Sequence, residues 1–549
     1  MSAAQQPPEA GPPEEPRLDA EEIQGNVIPG FMKPTMRLCA LNVVDPALAR
    51  QWLGEVASAI TSLADTLESR SRVRAMRTYQ PLAEGTLGAV PDAVDDAWAN
   101  VSFSHGGLTR LLAGGPHEGD LARFEDPAFA AGLAARSSLL GDPTDPSAEG
   151  NPAQWKVGRP GEEPDVLFTV GADRAERGAQ LMDQLRGTPE STGLVPVYEQ
   201  EGEKLDQIGA EHFGFQDGVS QPGVRGLVPD GSFLTPRTID PSATPEAWLY
   251  GLPGQLLTWP GDYVFGYPRS GPDPRVAGPE ATAGPEAPDW TRNGSYLAFR
   301  RFRQDVPGFW NFAREQAEQL SRTPGFEGWD AEQLAAHVVG RWKSGAPLAR
   351  SPEKDAPALG TDRLANNDFG FAAPSVSLPL AGGGQTNGFP MAKADPIGAT
   401  CPMSAHIRKV NARTAASDPG GRKASFQRRI VRRGLPWGPK LEDPSGPDPA
   451  EGQRGLLFLS YQASLVRQFE FLCASWMGSP TNPRSPSGFD LLIGQNGEPG
   501  GNRERAATVL NEKLEAGEIK TKRDFVIPTG GGYFFTPSIS ALREVIAAR

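Results

Sequence analysis

The sequence predicts an α+β fold built from two similar units, and three observations carry that expectation. Along its 549 residues the chain repeats one local grammar: a short apolar strand, a turn, then an amphipathic helix. The copies fall in two groups, one before about residue 200 and one after about residue 290. Strand-like runs beside them would complete antiparallel sheets, and helices on one face of such a sheet make an α+β unit.

In chain order, residues 1–17 are rich in Pro, Glu and Gln and are expected to form a disordered tail. Order is expected from Leu18, where LDAEEIQGNVIPGF offers a helix start and then a turn. Residues 36–60 are the first strand–helix copy and 101–114 a shorter one. Residues 165–187 are the third, with apolar helix positions at the helical period. Residues 295–320 and 455–477 are the fourth and fifth. VRAMRTYQPL (73–82), GLVPVYEQ (193–200) and GGYFFTP (531–537) are expected to be additional strands, and the C-terminal SISALREVIAAR a terminal helix. The whole reads as a pair of ferredoxin-like domains, over 18–225 and 226–549. Pro/Gly-rich tracts at 226–293, 345–400 and 415–424 are longer than compact domains usually carry, so they are expected to wrap the surface or cover a site. AGGGQTNGFP (381–390) reads as a flexible insertion.

Composition excludes several function classes. The hydrophobic share is low at 38%, but 64 Gly and 54 Pro account for much of that. A net charge of −13 argues against nucleic acid as a general partner, because phosphate binding needs a basic surface. Cys39, Cys401 and Cys473 are too far apart for a disulfide framework or a zinc site, which fits a reducing compartment. No apolar run is long enough to span a membrane. The N-terminus lacks the basic and apolar regions of an export signal, so a cytoplasmic protein is expected.

Three places could carry chemistry. FGFQDGVSQPGV (213–224) sets one acid, Asp217, between Gly214 and Gly218 beside an apolar flank. By itself it reads as an Asp-Gly turn, or as a carboxylate working in a dry pocket. Of the five histidines, His406 has the most distinctive setting, CPMSAHIRKVNAR (401–413), with Arg408, Lys409 and Arg413 close by. Imidazole is a good axial ligand for haem iron, and nearby cations suit haem propionates. FQRRIVRRGLPWG (426–438) places Arg428, Arg429, Arg432 and Arg433 around an Ile-Val pair. In a strand Arg432 and Arg433 must point opposite ways; the plain alternative is a charged strand edge.

GFQDG (214–218) matches the G-x-x-D-G motif of the dye-decolourising (DyP-type) haem peroxidases, and the chain resembles that family in order along its length. The blocks are IQGNVIPGF (23–31), GRWKSGAPL (340–348), DPIGATCPMSAHIRKVNAR (395–413), RRIVRRGLPWG (428–438) and GLLFLSYQASLVRQFEF (455–471). The resemblance implies two ferredoxin-like domains with haem b in the second, in the branch with larger loops. It implies His406 as proximal iron ligand, Asp217 as distal acid–base carboxylate and Arg432 as distal cation, with Arg433 the runner-up. Arg341, Arg408 and Gly218 are the further cofactor-binding candidates. In the family an acidic side chain usually takes the second ring N–H of the proximal histidine; within 455–471 Ser464 and Glu470 are the residues considered for that role.

The implied reaction reduces hydrogen peroxide and oxidises phenols, dyes or other small reductants. Asp217 would shuttle a proton between the peroxide oxygens, and Arg432 would stabilise the charge on the departing one. His212 is a second possible distal base, not required by the motif. Members of the family often assemble into homo-oligomers. The competing readings are a haem carrier or iron-releasing, deferrochelatase-like protein with incidental peroxidase activity, ligation of iron by Cys401, and a haem-free binding protein.

Overall fold

The structure is a computed structural model that describes residues 13–79, 95–206, 209–240, 247–271, 276–284, 286–372, 374–375, 379–382, 389–413, 425–444, 446–450, 452–497, 503–511 and 513–548. The expectations for residues 1–12, for most of the 381–390 insertion and for the 415–424 tract lie outside the described residues.

Nine strands among the described residues form one antiparallel sheet. The first four are β1 (Thr35–Val43), β2 (Ala97–Phe103), β3 (Val166–Ala172) and β4 (Leu194–Glu203). The others are β5 (Ser295–Gln304), β6 (Val431–Arg432), β7 (Leu435–Trp437), β8 (Gly455–Gln462) and β9 (Val526–Thr536). Their order is β6-β8-β5-β9-β2-β3-β1-β4, with β7 also on β8. Each half thus has the strand order of a ferredoxin-like unit, and the halves join where Phe535 of β9 pairs with Phe103 of β2. At the far edges, a Cβ on Gly202 of β4 would lie 2.9 Å from the Pro436 carbonyl of β7. Arg301 of β5 donates from Nε to the Tyr198 hydroxyl of β4 at 2.8 Å. The sheet therefore curls until its edges meet, giving an α+β barrel.

Strand periodicity divides the core in two. Cys39, Leu41 and Val43 of β1 face outward with Phe168, Val170, Tyr296, Ala298, Tyr533 and Phe535, under the covering helices. Met36, Leu38 and Ala40 face inward with Leu167, Leu297, Phe299, Leu457, Leu459 and Phe534. The covering helices include Pro46–Val56 and Ala175–Arg186 on the first half and Val306–Leu320 and Leu465–Met477 on the second. The first begins at Asp45, whose carboxylate accepts the N–H groups of Ala47 and Leu48.

One expected strand is overturned. Residues 73–79 belong to the helix Leu63–Tyr79, and 80–82 lie outside the described residues. The helix starts from a reciprocal cap: Asp65 N–H donates to Ser62 Oγ at 3.1 Å, and Ser62 N–H donates to Asp65 Oδ2 at 2.8 Å. Residues 13–17 run along the 225–237 segment, where the Glu15 carboxylate accepts hydrogen bonds from Arg225, Arg237 and the Gly226 N–H.

The Pro/Gly-rich tracts are held by buried arginines as well as by apolar packing, which gathers Leu348, Leu359, Phe369 and Phe371 in one cluster. Arg350 donates to the carbonyls of Pro390 and Ala365, each at 2.8 Å, and is itself buried. Buried backbone carbonyls need donors, and a guanidinium supplies five from one side chain. Among the described residues, no helix is long and apolar enough to cross a membrane.

Candidate active site

Asp217 sits on the loop that leaves β4, and Arg432 sits at the end of β6. Arg432 Nη1 donates to Asp217 Oδ1 at 2.6 Å. The Gly218 N–H donates to the same oxygen at 2.6 Å. Gly218 has φ +75°, and a Cβ there would meet nothing within 4 Å, so the space over this turn is open. The other guanidinium nitrogen of Arg432, Nη2, donates to the Ser220 carbonyl at 3.3 Å. The Gln221 amide brackets the Arg432 backbone, donating to its carbonyl at 3.2 Å and accepting its N–H at 3.2 Å. Arg432 is therefore fixed at both ends.

Arg433 points the other way. It donates to the carbonyls of Asn26 at 2.8 Å and Val27 at 2.9 Å, joining β6 to the N-terminal segment. The alternation of a strand separates the two arginines, and Arg432 is the one against Asp217.

Asp217 and Arg432 line a cavity of about 1020 Å³, along with Gly218, Asn366 and Asn367. Asp217 keeps 37% of its side-chain surface and Arg432 29%, and both line the cavity. Burial acts to raise the Asp217 pKa. The charge and hydrogen bond of Arg432, the Gly218 N–H and a smaller pull from His406 outweigh it, so the carboxyl is held below its ordinary value.

His406 opens the short helix His406–Lys409 and approaches from the 401–413 segment. It is not among the residues lining the cavity, and only in its protonated form would it pull on Asp217. Its Nδ1 lies 2.8 Å from Oδ2 of Asp490, a carboxylate with no exposed surface. The Asp490 carboxylate is itself oriented by the N–H groups of Leu492 and Ile493. Holding the proton on Nδ1 leaves Nε2 as the lone-pair nitrogen. Neither residue considered from sequence takes the role of Asp490. Glu470 accepts hydrogen bonds from Arg136 and Tyr533, and Ser464 caps the 465–477 helix.

The remaining candidates are placed as follows. Arg408 is buried and spends its guanidinium on Asp395 and the Cys401 carbonyl, which fixes the turn leading into His406. Arg341 is buried and donates to the carbonyls of Gly345 and Asn366 and to Asn367 Oδ1. Arg413 donates to the same Asn367 oxygen and to the Asn367 carbonyl. His212 turns Nε2 to the Trp437 carbonyl at 2.9 Å, and burial pulls its pKa down to about 4. Burial pushes the Cys401 thiol up to about 12, so a thiolate is disfavoured.

Three features bear on a haem group. First, His406 is an imidazole with a buried acidic partner, Asp490, an arrangement that suits an iron held within a larger group. Second, Arg341 and Arg413 are buried guanidinium groups that form no ion pair with a carboxylate among the described residues, and Arg413 Nε has no hydrogen-bond partner there. Unpaired buried cations favour an anionic neighbour such as a propionate. Third, the turn at Gly218 leaves open space. The residues present fit the group.

Sequence reasoning missed Asp490, Gln221 and Asn367. Asp490 lies within GFDLLIG, 84 residues from His406, where only an acid flanked by apolar residues hints at burial.

Comparison with known proteins gives a consistent result. The family profile of the DyP dimeric alpha+beta barrel domain matches residues 22–203, and that of the Dyp-type peroxidase C-terminal region matches residues 277–483. The dye-decolorizing peroxidase msp1 of Mycetinis scorodonius is 30% identical over 546 residues, covering 96% of this chain and 88% of the relative. A solved ancestral D-type dye decolorizing peroxidase superposes with a TM-score of 0.72 at 29% identity, covering 97% of this chain and 100% of that one. A dye-decolorizing peroxidase in complex with 2,6-dimethoxyphenol gives a TM-score of 0.66 at 29% identity, with the same coverage of both chains.

Proposed function

Because this chain belongs to the family of DyP-type peroxidases, oxidoreductases that use hydrogen peroxide, we propose that it is a haem b peroxidase with His406 as the iron ligand and Asp217 and Arg432 as the distal pair. The observation that carries this reading is the 2.6 Å contact between Arg432 Nη1 and Asp217 Oδ1 at the cavity. Phenols and dyes are the proposed electron donors; the relative bound to 2,6-dimethoxyphenol supports a phenolic donor.

When bound, haem supplies the iron that activates peroxide and the electrons that its O–O cleavage consumes. The chain supplies proton transfer and charge. Asp217 Oδ1 is committed to Arg432 and the Gly218 N–H, whereas Oδ2 accepts no hydrogen bond among the described residues. Oδ2 is the atom that takes a proton from one peroxide oxygen and returns it to the other, a service worth about 10²–10⁴ in rate. Arg432 keeps the carboxyl ionised beforehand and offers positive charge to the oxygen that leaves. Gln221 fixes the Arg432 backbone, so the cation does not reorganise during the step.

His406 would hold iron through Nε2, with Asp490 setting its tautomer, and Arg413 and Arg341 would face the anionic edge of the group. The experiment is the absorption spectrum of the protein with haem, before and after peroxide, for wild type and His406→Ala. An imidazole-ligated spectrum that changes with peroxide in wild type and is lost in His406→Ala is expected. Protein that stays colourless with haem, or a spectrum unmoved by peroxide, overturns the reading.

A further inference from the structure

A second carboxyl lines the same cavity, and the proton transfer at Asp217 does not itself use it. Glu211 lies six residues before Asp217, and its side chain organises the loop between them. Its Oε2 accepts the Phe213 N–H at 2.9 Å and its Oε1 accepts the Phe215 N–H at 3.0 Å. Gln304 of β5 adds a third donor at 2.5 Å. Backbone bonds close the same turn: Glu211 N–H to the Phe215 carbonyl at 3.0 Å, and Gly214 N–H to the Glu211 carbonyl at 2.8 Å.

The loop is gripped from outside as well. Phe213 and Phe215 are buried against Phe309 and Trp310 of the 306–320 helix, and Trp310 Nε1 donates to the Phe213 carbonyl at 3.2 Å. Gln216 N–H donates to the Lys343 carbonyl, and Asp217 N–H to the Gly209 carbonyl, each at 3.1 Å. The 211–215 turn therefore sets where the Asp217 carboxylate stands. A carboxyl at its centre that changes charge would change both the grip of the turn and the field at Asp217.

We propose that Glu211 is a positioning residue for Asp217, and that the ionisation of the two carboxyls is coupled so that Glu211 sets the pH dependence of the peroxide step near neutrality. Burial pushes the Glu211 carboxyl up to about 7; the two backbone N–H groups and Gln304 pull it down, and the Asp217 charge pushes it further up. The other polar and charged groups around it are already engaged. His212 is held neutral on the Trp437 carbonyl. The Lys343 ammonium is paired with Glu332, and Arg432 is paired with Asp217. Gln304 is a neutral amide. Above neutrality the ionised Glu211 best satisfies its three donors, and its charge makes Asp217 a stronger base. The proposal rests on Asp217 being the distal base.

Infrared difference titration of the holoenzyme tests the coupling without reference to turnover. In wild type a protonated-carboxyl band is expected to bleach with a midpoint of about 7. Asp262 and Asp368 titrate in a similar range, so the assignment rests on the part of the band lost in Glu211→Gln. In Asp217→Asn the midpoint is expected to fall by about half a pH unit or more. In Gln304→Met, which removes one donor to the carboxylate, it is expected to rise. The profile of kcat/KM for peroxide against pH should show an inflection near 7 in wild type. That inflection should vanish in Glu211→Gln, with a loss of about ten- to hundredfold from the displaced carboxylate.

A Glu211→Gln profile parallel to wild type, or a midpoint unmoved in both Asp217→Asn and Gln304→Met, overturns the proposal. If Glu211→Gln does not fold, the part of the band that moves in Gln304→Met, whose amide donates to Glu211, makes the assignment, and its midpoint in Asp217→Asn decides. Full peroxide turnover by Asp217→Asn would sink the distal-base reading itself, a result separate from the infrared midpoints.

Discussion

His406 Nδ1 lies 2.8 Å from Oδ2 of Asp490, and that carboxylate has no exposed surface. A buried anion accepting the ring N–H makes the opposite nitrogen a stronger donor and stabilises the higher oxidation state of a bound iron. Asp490→Asn keeps the shape and removes the charge. The reduction potential of the haem protein is expected to rise, and haem affinity to fall by about 10–100-fold. A spectroelectrochemical titration beside a haem-transfer assay reads both. An unchanged potential would show that the carboxylate only orients the ring.

The two adjacent arginines should separate cleanly. Arg432→Leu removes the cation at Asp217, so kcat/KM for peroxide is expected to fall by about 10²–10³. Arg433→Leu instead frees the carbonyls of Asn26 and Val27, at a stability loss of about 1–3 kcal/mol. Its rate per folded molecule should stay near wild type. Thermal melts and stopped-flow peroxide reactions on both variants check the pair. A rate loss in Arg433→Leu equal to that in Arg432→Leu would reassign the distal cation.

The site is unevenly legible in the sequence, for physical reasons. Asp217, His406 and Arg432 stand in segments whose glycines, prolines and clustered charges break the ordinary patterns of strand and helix. Asp490 does not, because an acid between Phe489 and Leu491 has no local pattern; only the folded chain brings it to His406. The strand–helix copies are readable because buried strands and amphipathic helices obey fixed periods. The 73–82 segment reads as a strand because its apolar residues alternate briefly, while the deciding signal, the Ser62–Asp65 cap, lies about ten residues upstream. The Pro/Gly tracts are opaque because Arg341, Arg350 and Arg408 hold them through backbone carbonyls, and such bonds leave no periodic trace.

The pH dependence of the peroxide reaction should report the Asp217–Arg432 contact. Arg432 holds the carboxyl below its ordinary value, so Asp217 stays ionised and basic well into the acid range. Activity is lost as pH falls through that depressed pKa. Arg432→Lys shortens the cation and breaks the contact with Oδ1, so the Asp217 pKa should rise. The acid limb of kcat/KM is then expected to move to higher pH while the plateau falls less than in Arg432→Leu. An acid limb that does not move would mean that another group controls it.

Asp262 offers a stability test away from the chemistry. It is buried, and its oxygens accept the Ser270 N–H at 2.9 Å and the Ser270 hydroxyl at 2.6 Å. Burial pushes its pKa from 3.8 up to about 7. Between those values the folded protein keeps a proton that the unfolded chain has lost, so this residue's contribution falls as pH rises from about 4 to about 7 and is flat above. Asp262→Asn removes the ionisation, and its amide can accept from the Ser270 N–H and donate to the Ser270 oxygen. The variant should match wild type near pH 4 and exceed it at pH 8 by on the order of 4 kcal/mol. Glu211 and Asp368 shift in the same direction, so the quantity to follow is the difference between variant and wild type across the range, read from thermal melts. A difference that is constant with pH would mean that Asp262 is already ionised in the folded protein near neutrality.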